Sequence, residues 1–249
     1  MTNCQSASEQ PVRKARRLGF AGALLLGALL TPVAYSGAAA AEPIVFAPAP
    51  AVDVPAGNDA TQTAVLSGGC FWGVQGVYEH VKGVKKVWAG YAGGSASTAQ
   101  YETVSTGTTG HAESVKIIFD PQQISYGKIL QIFFSVATNP TELNYQGPDE
   151  GTQYRSEIWA LNPDQARVAK AYIAQLTAAH RFSAPIVTRV DPYMGFYPAE
   201  DYHQDFLVHY PDYPYIAYND IPKVEGLKSL FPAVYSDTPV LALPGKSSS

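Results

Sequence analysis

The sequence predicts an α+β fold, a two-layer sandwich in which helices pack on one mixed β-sheet. Short β-prone runs alternate along the chain with segments whose apolar residues recur at helical spacing. After residue 191 this periodicity ends, and Tyr, Pro and Asp dominate. We therefore expect a regular core followed by long irregular C-terminal segments.

The first elements surround a cysteine. Residues 63–67 are β-prone, and the glycine pair that follows ends this strand. Residues 71–81 predict a helix, so Cys70 stands at a strand-to-helix junction. A second strand is expected over 84–91. The Gly, Ser and Thr content of 92–110 then predicts a long loop, and such loops in compact domains are typically functional.

The middle elements repeat this alternation. Residues 113–119 predict a third strand. Ser125 is a good helix cap, and apolar residues at helical spacing continue to Val136. A second long loop covers 138–154, and residues 156–160 predict a fourth strand.

One more helix and strand close the pattern. Asn162 and Pro163 form a typical helix start, and the apolar stripe that follows continues to Ala179. Residues 186–190 predict the last strand. The order is βαββαβ followed by αβ, which describes a split βαβ, ferredoxin-like core.

The N-terminal region predicts export. Basic residues precede an uncharged run over 18–41 that ends in small residues, which is the layout of a secretory signal peptide over residues 1–41. We expect cleavage, export to the periplasm and no membrane contact afterwards. An uncleaved leader that anchors the protein is the alternative, because a run of this length can span a bilayer.

The remaining chain divides into three parts. Residues 42–62 are rich in Pro and Ala and predict a flexible linker. Residues 63–235 form the predicted folded domain, and 236–249 a flexible tail. We expect a monomer.

Charge and composition narrow the possible partners. The net charge is −4, and the basic residues are scattered, so we expect no nucleic-acid partner. Charged residues make up 15% of the chain, whereas there are 16 tyrosines and 10 phenylalanines. An aromatic pocket and a tight aromatic core both fit this composition.

The chain contains two cysteines, Cys4 in the leader and Cys70 in the domain. A lone thiol in an exported protein favours a reactive group over a disulfide. A helix N-terminus stabilises the thiolate, and Phe71 and Trp72 could line an apolar pocket beside it. A tight turn with an inert cysteine and core aromatics is the structural alternative.

Four motifs in order resemble segments of the peptide methionine sulfoxide reductase A family, and together they cover roughly residues 65–235. They are Gly69-Cys70-Phe71-Trp72-Gly73, Thr109-Gly110-His111-Ala112-Glu113, Gln146-Gly147-Pro148-Asp149 leading into Gly151-Thr152-Gln153-Tyr154-Arg155-Ser156, and Phe196-Tyr197-Pro198-Ala199-Glu200-Asp201-Tyr202-His203-Gln204.

The resemblance implies a catalytic set. Cys70 is the expected nucleophile, and Glu113 the acid that protonates the sulfoxide oxygen, kept protonated by burial. Tyr101 and Tyr154 are expected to hold that oxygen through their phenol groups. An ordinary surface carboxylate and packed core rings are the structural alternatives for these residues.

The resemblance also implies how substrate is bound. Phe71 and Trp72 are expected to contact the methyl group and to select the S sulfoxide. Gly69 is expected to let the backbone approach the substrate closely, and Asp149 to support the site by hydrogen bonding. For Asp149 an ordinary turn residue is the alternative.

Two departures from the family pattern concern turnover and packing. The chain has no cysteine after Cys70, whereas many members resolve the sulfenic acid with a further one, so an external, thioredoxin-like thiol is expected instead. Asn139 stands where aspartate is common, and Tyr145 where arginine is frequent. No bound cofactor is expected.

Other kinds of site are less consistent with the sequence. A metal centre would need ligands such as His111, His203, Asp201 and Asp205, which lack the spacing of known metal motifs. A cysteine hydrolase with a histidine base leaves the other three motifs unexplained. A binding module without turnover would not need a thiol beside a buried acid.

Overall fold

One mixed sheet organises the protein, whose computed structural model describes residues 44–243. The strands in these residues are β1 (Gln62–Gly68), β2 (Val84–Ala92), β3 (Ala112–Phe119), β4 (Tyr145–Gln146), β5 (Asp149–Glu150), β6 (Ser156–Ala160), β7 (Arg189–Pro192) and β8 (Phe196–Pro198). Six of them form a sheet in the order β7-β6-β1-β3-β2-β8, while β4 pairs with β5. The pair β6-β7 is parallel and the other neighbours are antiparallel.

Helices pack around this sheet. They are α1 (Phe71–Glu79), α2 (Tyr101–Val104), α3 (Tyr126–Ile132), α4 (Pro163–Ala178), α5 (Phe206–His209) and α6 (Ile221–Leu230). Two π-helical turns, Phe133–Ala137 and Ile216–Asp220, follow α3 and precede α6. As the sequence predicts, the Ser125 hydroxyl caps α3 and the Asn162 amide oxygen caps α4.

The strand register brings distant segments together at one edge of the sheet. Leu66 in β1 pairs with Val115 in β3, and Gly68 at the end of β1 pairs with Ser156 at the start of β6. The end of β1 therefore lies beside the starts of β3 and β6. Cys70 follows β1 by two residues, so it is placed next to the beginnings of both neighbouring strands.

Two glycines let α1 pack closely on the C-terminal region. A Cβ atom at Gly73 would overlap the carboxylate of Asp220, and one at Gly76 would lie 2.6 Å from Leu207 Cδ1. All nine residues of α1 are buried. A larger side chain at either position would therefore push the C-terminal segments away from the helix.

The prediction of a mixed sheet with packed helices is confirmed, and most predicted strands match within two residues. The last predicted strand, 186–190, is displaced to Arg189–Pro192. The predicted loop 92–110 contains the short helix α2.

The C-terminal region, for which the sequence predicts long irregular segments, contains more regular structure than expected. Strand β8 extends the sheet through β2, and α6 is a ten-residue helix. Its buried positions Val224 and Leu227 are three residues apart, but Pro and Tyr in the preceding segment obscure the start of the helix. Pairing with the sheet and packing on α1 organise this region.

The prediction of a flexible linker is wrong for residues 44–54. The Ala47 N–H donates to Ser135 Oγ at 3.0 Å, Tyr172 Oη donates to the Pro48 carbonyl at 2.6 Å, and Gly127 N donates to Asp53 Oδ1 at 2.6 Å. Ala47 is fully buried. This Pro- and Ala-rich segment is extended and ordered, because its groups form hydrogen bonds with neighbouring helices.

The prediction of a flexible tail is wrong for residues 236–243. Val240 N donates to the Glu79 carbonyl, and the N–H groups of Ala242 and Leu243 donate to the buried Asp205 carboxylate. The predicted leader and the end of the tail lie outside the described residues. No helix within residues 44–243 has the length and apolar character needed to cross a membrane.

Candidate active site

Cys70 lies between β1 and α1 and is 1% exposed. It occupies the residue before the helix, but its side chain does not cap the helix. Instead, the Phe71 N–H donates to Glu113 Oε2 at 2.9 Å. The first turn of α1 thus connects Cys70, the predicted nucleophile, with Glu113, the predicted acid.

Gly69 forms the turn that presents Cys70. Its φ of +99° is in the region that favours glycine, and a Cβ atom there would lie 2.7 Å from Gln146 Cβ. The absence of a side chain at Gly69 therefore leaves room for Gln146, and the close approach of substrate to this backbone stays a prediction.

Glu113 is buried in β3, directly opposite Tyr91 of β2. Burial penalises a charged carboxylate, whereas the Phe71 N–H stabilises it. Burial, with smaller contributions from the charges of Glu113 and Glu200, raises the pKa of Tyr91 far above its ordinary value. Tyr91 therefore stays a neutral phenol, and it donates to Glu200 Oε2 at 2.8 Å.

Phe71 and Trp72 belong to an aromatic wall centred on His203. The His203 ring lies 4.4 Å from the Tyr101 ring and 5.1 Å from the Phe71 ring, measured between centroids. The indole N–H of Trp72 donates to His203 Nδ1 at 3.2 Å. The Trp72 ring also stacks on Phe206, with the ring centroids 3.9 Å apart. Both predicted methyl-contacting residues are thus part of one apolar surface.

His203 is a neutral part of this wall. Burial lowers the pKa of His203 to about 4, although the charge of Glu200 acts in the opposite direction. Since Nδ1 accepts from Trp72, the ring proton is on Nε2. The sequence places His203 in a family motif and argues against a role as metal ligand. It does not predict that His203 packs among Phe71, Trp72 and Tyr101. No group of metal-ligating side chains occurs among residues 44–243.

Tyr101 and Tyr154 are both buried, 4% and 1% exposed. Tyr101 begins α2, where its N–H donates to Glu200 Oε1 at 2.9 Å. Glu200 thereby links Tyr101 to the phenol of Tyr91. Tyr154 ends the short turn before β6, and this turn packs against β3, which carries Glu113. The two predicted tyrosines thus lie on separate segments, one at the start of α2 and one in the turn before β6.

Asp149 connects the second long loop to the C-terminal region. It is 1% exposed and accepts the phenol proton of Tyr215. The Tyr215 ring packs edge-on against Trp72, with centroids 6.0 Å apart. The sequence does not identify Tyr215, because nothing distinguishes it from the other tyrosines of its segment.

A buried ion pair lies behind this region. Lys223 Nζ is 3.2 Å from Asp220 Oδ1, and both side chains are nearly inaccessible to solvent. Burial raises the pKa of Asp220 to about 6, the Lys223 charge opposes this rise, and the Asp149 charge adds to it. The sequence does not predict either residue, because their helix lies in the segment expected to be irregular.

The two departures from the family pattern are accommodated locally. The backbone of Asn139 binds the side chain of Gln146 through two hydrogen bonds. The Asn139 N–H donates to Gln146 Oε1 at 2.8 Å, and Gln146 Nε2 donates to the Asn139 carbonyl oxygen at 2.8 Å. Asn139 Oδ1 accepts from Thr141, as an aspartate oxygen would. Tyr145 is 41% exposed at the edge of this loop.

These features define a class of protein. A buried cysteine at a helix start, a buried carboxyl group bonded to the same helix turn and an aromatic wall are together typical of thiol-based enzymes.

Comparison with known proteins identifies the family. The model of the peptide methionine sulfoxide reductase family matches residues 62–233. Peptide methionine sulfoxide reductase MsrA 2 of Mesorhizobium japonicum is 61% identical over 183 residues, covering 74% of this chain and 94% of that protein. The Synechocystis protein of the same name is 49% identical over 187 residues, covering 74% and 87%.

Two solved structures are also similar. Reduced Mxr1 from Saccharomyces cerevisiae has 30% identity and a TM-score of 0.54, covering 64% of this chain and 90% of that one. Methionine sulfoxide reductase A of Corynebacterium diphtheriae has 31% identity and a TM-score of 0.53, covering 69% and 87%. The chain belongs to the peptide methionine sulfoxide reductase family, in its A class. It is an enzyme that reduces methionine sulfoxide in a thiol-dependent reaction.

Proposed function

We propose that the Cys70 thiolate attacks the sulfur of a methionine S-sulfoxide while Glu113 transfers a proton to its oxygen. This attack forms a bond between the Cys70 sulfur and the substrate sulfur. The protonated oxygen then moves from the substrate sulfur to the Cys70 sulfur, and both the substrate S–O bond and the new S–S bond break. Cys70 is thereby oxidised by two electrons to a sulfenic acid, and methionine leaves with its sulfur reduced by the same two electrons. The observation that carries the proposal is the 2.9 Å bond between the Phe71 N–H and Glu113 Oε2. This hydrogen bond holds the acid next to the first turn of α1, which directly follows the nucleophile.

Glu113 is needed because a sulfoxide sulfur is a poor electrophile. It becomes reactive when its oxygen is protonated or strongly hydrogen-bonded. The burial of Glu113, at 1% exposure, supports a proton-holding role, since burial disfavours the carboxylate. Tyr101 and Tyr154 contribute phenol O–H groups that hold the same oxygen.

Phe71 and Trp72 receive the methyl group of the substrate. An apolar wall rewards a methyl group and rejects a polar or bulkier substituent. One epimer alone presents its oxygen to the acid and the phenols and its methyl group to this wall while its sulfur faces the thiol. Asp149 supports the wall indirectly, through Tyr215 and its contact with Trp72.

The second half of the cycle uses a thiol from outside the chain. The domain contains no cysteine besides Cys70. An external dithiol of the thioredoxin type attacks the sulfenic sulfur, water leaves and a mixed disulfide forms. The second thiol of the dithiol then releases Cys70 and becomes part of a disulfide in the reductant.

The decisive experiment compares single variants with both epimers of a methionine sulfoxide peptide and dithiothreitol as reductant. We expect the wild type and Cys4→Ser to reduce the S epimer, and Cys70→Ser to be inactive. Without reductant, mass spectrometry should find sulfenic acid on Cys70 and one equivalent of methionine. Equal turnover by the wild type and Cys70→Ser would contradict the proposal, as would excess methionine without reductant.

Three wider proposals accompany this mechanism. The strand order β6-β1-β3-β2, with α1 joining β1 to β2 around β3, supports a two-layer, ferredoxin-like classification of the core. The uncharged run 18–41 supports export to the periplasm after cleavage. N-terminal sequencing of the secreted protein tests cleavage, and sedimentation tests the proposed monomer.

A further inference from the structure

A buried cation lies near the nucleophile, and the reaction proposed above does not use it. Lys223 of α6 is 9% exposed, and its Nζ is 3.2 Å from Asp220 Oδ1. Lysine is rarely buried, because removing an ammonium group from water is costly even when it is paired. A lysine in this position therefore calls for a role beyond ordinary packing.

Packing on two sides places the Lys223–Asp220 pair beside Cys70. On one side, Asp220 fills the space above Gly73, in the first turn of α1. On the other, Lys223 and Gln146 line the same small cavity, and Gln146 packs against the backbone of Gly69. Cys70 lies in the short segment between these two glycines.

The charges around Lys223 are mostly negative. Burial, the largest effect, lowers the pKa of Lys223, but Asp220, Cys70 and Asp149 raise it, and the result is a pKa above the ordinary value. Helix α6 packs against α1, whose titratable residues are Tyr78 and Glu79, and against the turn Ile216–Asp220, which carries Tyr218 and Asp220. Ile44 and the turn Phe133–Ala137 also cover it and carry no titratable groups. From the sheet side, Glu113 approaches the same turn of α1.

We infer that Lys223 is a positioning residue for Cys70: its ammonium, held by Asp220, keeps the sulfur anionic among the surrounding carboxyl groups. The inference rests on the proposed role of Cys70 as nucleophile. A thiolate in this buried segment is opposed by burial and by the negative charges of Asp220 and Asp149, which act around Lys223. A nearby cation offsets both effects, and an opposite charge within about 4–6 Å typically lowers an acid's pKa by about one to three units.

The test measures the Cys70 thiolate directly, without substrate or turnover. The ultraviolet absorbance of the thiolate is titrated in a Cys4→Ser background, with Cys4→Ser/Cys70→Ser as the blank. Lys223→Gln and Lys223→Met remove the charge, and Lys223→Arg keeps it. Lys228→Gln is the matched control, because it removes the same charge from the exposed side of α6, where Lys228 pairs with Asp237.

We expect the two neutral Lys223 variants to raise the Cys70 midpoint by about one unit or more, a ten-fold loss of thiolate below the midpoint. Lys223→Arg and Lys228→Gln should titrate like the parent. Neutral variants that titrate like Lys228→Gln would overturn the inference, as would an equal shift in Lys223→Arg.

A reciprocal measurement leaves Lys223 unchanged, so it does not depend on how its variants fold. The NMR shift of Lys223 Cε is titrated in the parent and in Cys70→Ser. Because the coupling of two charges is mutual, removing the thiolate should lower the Lys223 midpoint. Equal midpoints would refute the inference. If both midpoint changes are observed but the wild type does not reduce the sulfoxide, the proposed reaction is refuted and the inference about Lys223 stands.

Discussion

The backbone N–H of Phe71 donates to Oε2 of Glu113 at 2.9 Å, so the proposed acid also satisfies the start of the helix that follows Cys70. The first N–H groups of a helix have no partner within the helix. Glu113 supplies one from an adjacent strand. Stability depends on the Glu113 oxygen that accepts from the Phe71 N–H, whereas catalysis depends on the proton of the carboxyl group. Substitutions of Glu113 can therefore separate the two roles.

Glu113→Gln should separate the two roles. The amide oxygen still accepts from the Phe71 N–H, but the side chain cannot deliver a proton, so kcat/KM should fall by about 10²–10⁴-fold. The free energy of unfolding should change little. Glu113→Ala should lose as much activity and also about 1–3 kcal/mol of stability, because the buried N–H is left unpaired. Steady-state kinetics and urea unfolding measure both. A Glu113→Gln variant with near-normal kcat/KM would remove Glu113 as the acid.

Tyr215→Phe should weaken the support of Trp72. The substitution removes one hydroxyl, and buried Asp149 loses its phenol donor. We expect a loss of about 1–3 kcal/mol in unfolding free energy, together with lower kcat/KM. Tyr213→Phe is the control, because the Tyr213 ring also packs edge-on against Trp72, at 6.4 Å. Equal losses in both variants would mean that the Asp149 contact contributes nothing specific.

Gly69→Ala should destabilise the turn before Cys70 through backbone strain and crowding together. The φ of +99° disfavours a side chain, and the new methyl group would meet Gln146. Gly57→Ala isolates the backbone effect, because Gly57 also has positive φ but nothing within 4 Å of its Cβ position. We expect about 1–2 kcal/mol for Gly57→Ala and a clearly larger loss for Gly69→Ala. Thermal unfolding of both variants tests this difference, and similar losses would contradict the crowding.

His203 should make the protein sensitive to acid. Burial lowers the pKa of His203 from 6.5 to about 4, so the unfolded chain binds this proton more readily than the folded one. The stability contributed by neutral His203 is present above pH 6.5 and is lost as pH falls towards about 4.

Replacing His203 with Gln should flatten this dependence. Unfolding free energies of the wild type and His203→Gln are compared across the same pH range. The exposed His180→Gln variant serves as the control and should retain the wild-type slope. A wild-type slope in His203→Gln would show that other groups cause the acid sensitivity.

Local patterns were sufficient for the core of the fold. Alternating apolar residues and helix caps such as Ser125 and Asn162 predict elements close to those observed, because each signal lies within a few neighbouring residues. The C-terminal region was predicted poorly for the opposite reason. Its strand β8 and helix α6 depend on partners elsewhere in the chain, and the Pro-rich segment 44–54 is ordered only by its neighbours.

The site divides in the same way. Cys70 and Glu113 were identified from short motifs, and the β1-β3 register explains why they meet. His203 reaches Trp72 across 131 positions of sequence, and Tyr215 reaches Asp149 across 66. Neither contact has a local signal. The sequence shows what each of these side chains is, but it does not show which residue each one contacts.

Short motifs and the cysteine count were enough to identify the family, the single thiol of the domain and the proposed acid. The fold was needed to find that Glu113 binds the helix start, that His203 is a neutral member of the aromatic wall and that the buried Lys223–Asp220 pair packs against α1. The physical reason is that hydrogen bonds, burial and charge coupling depend on distance in space, and folding brings together residues that sequence order keeps apart.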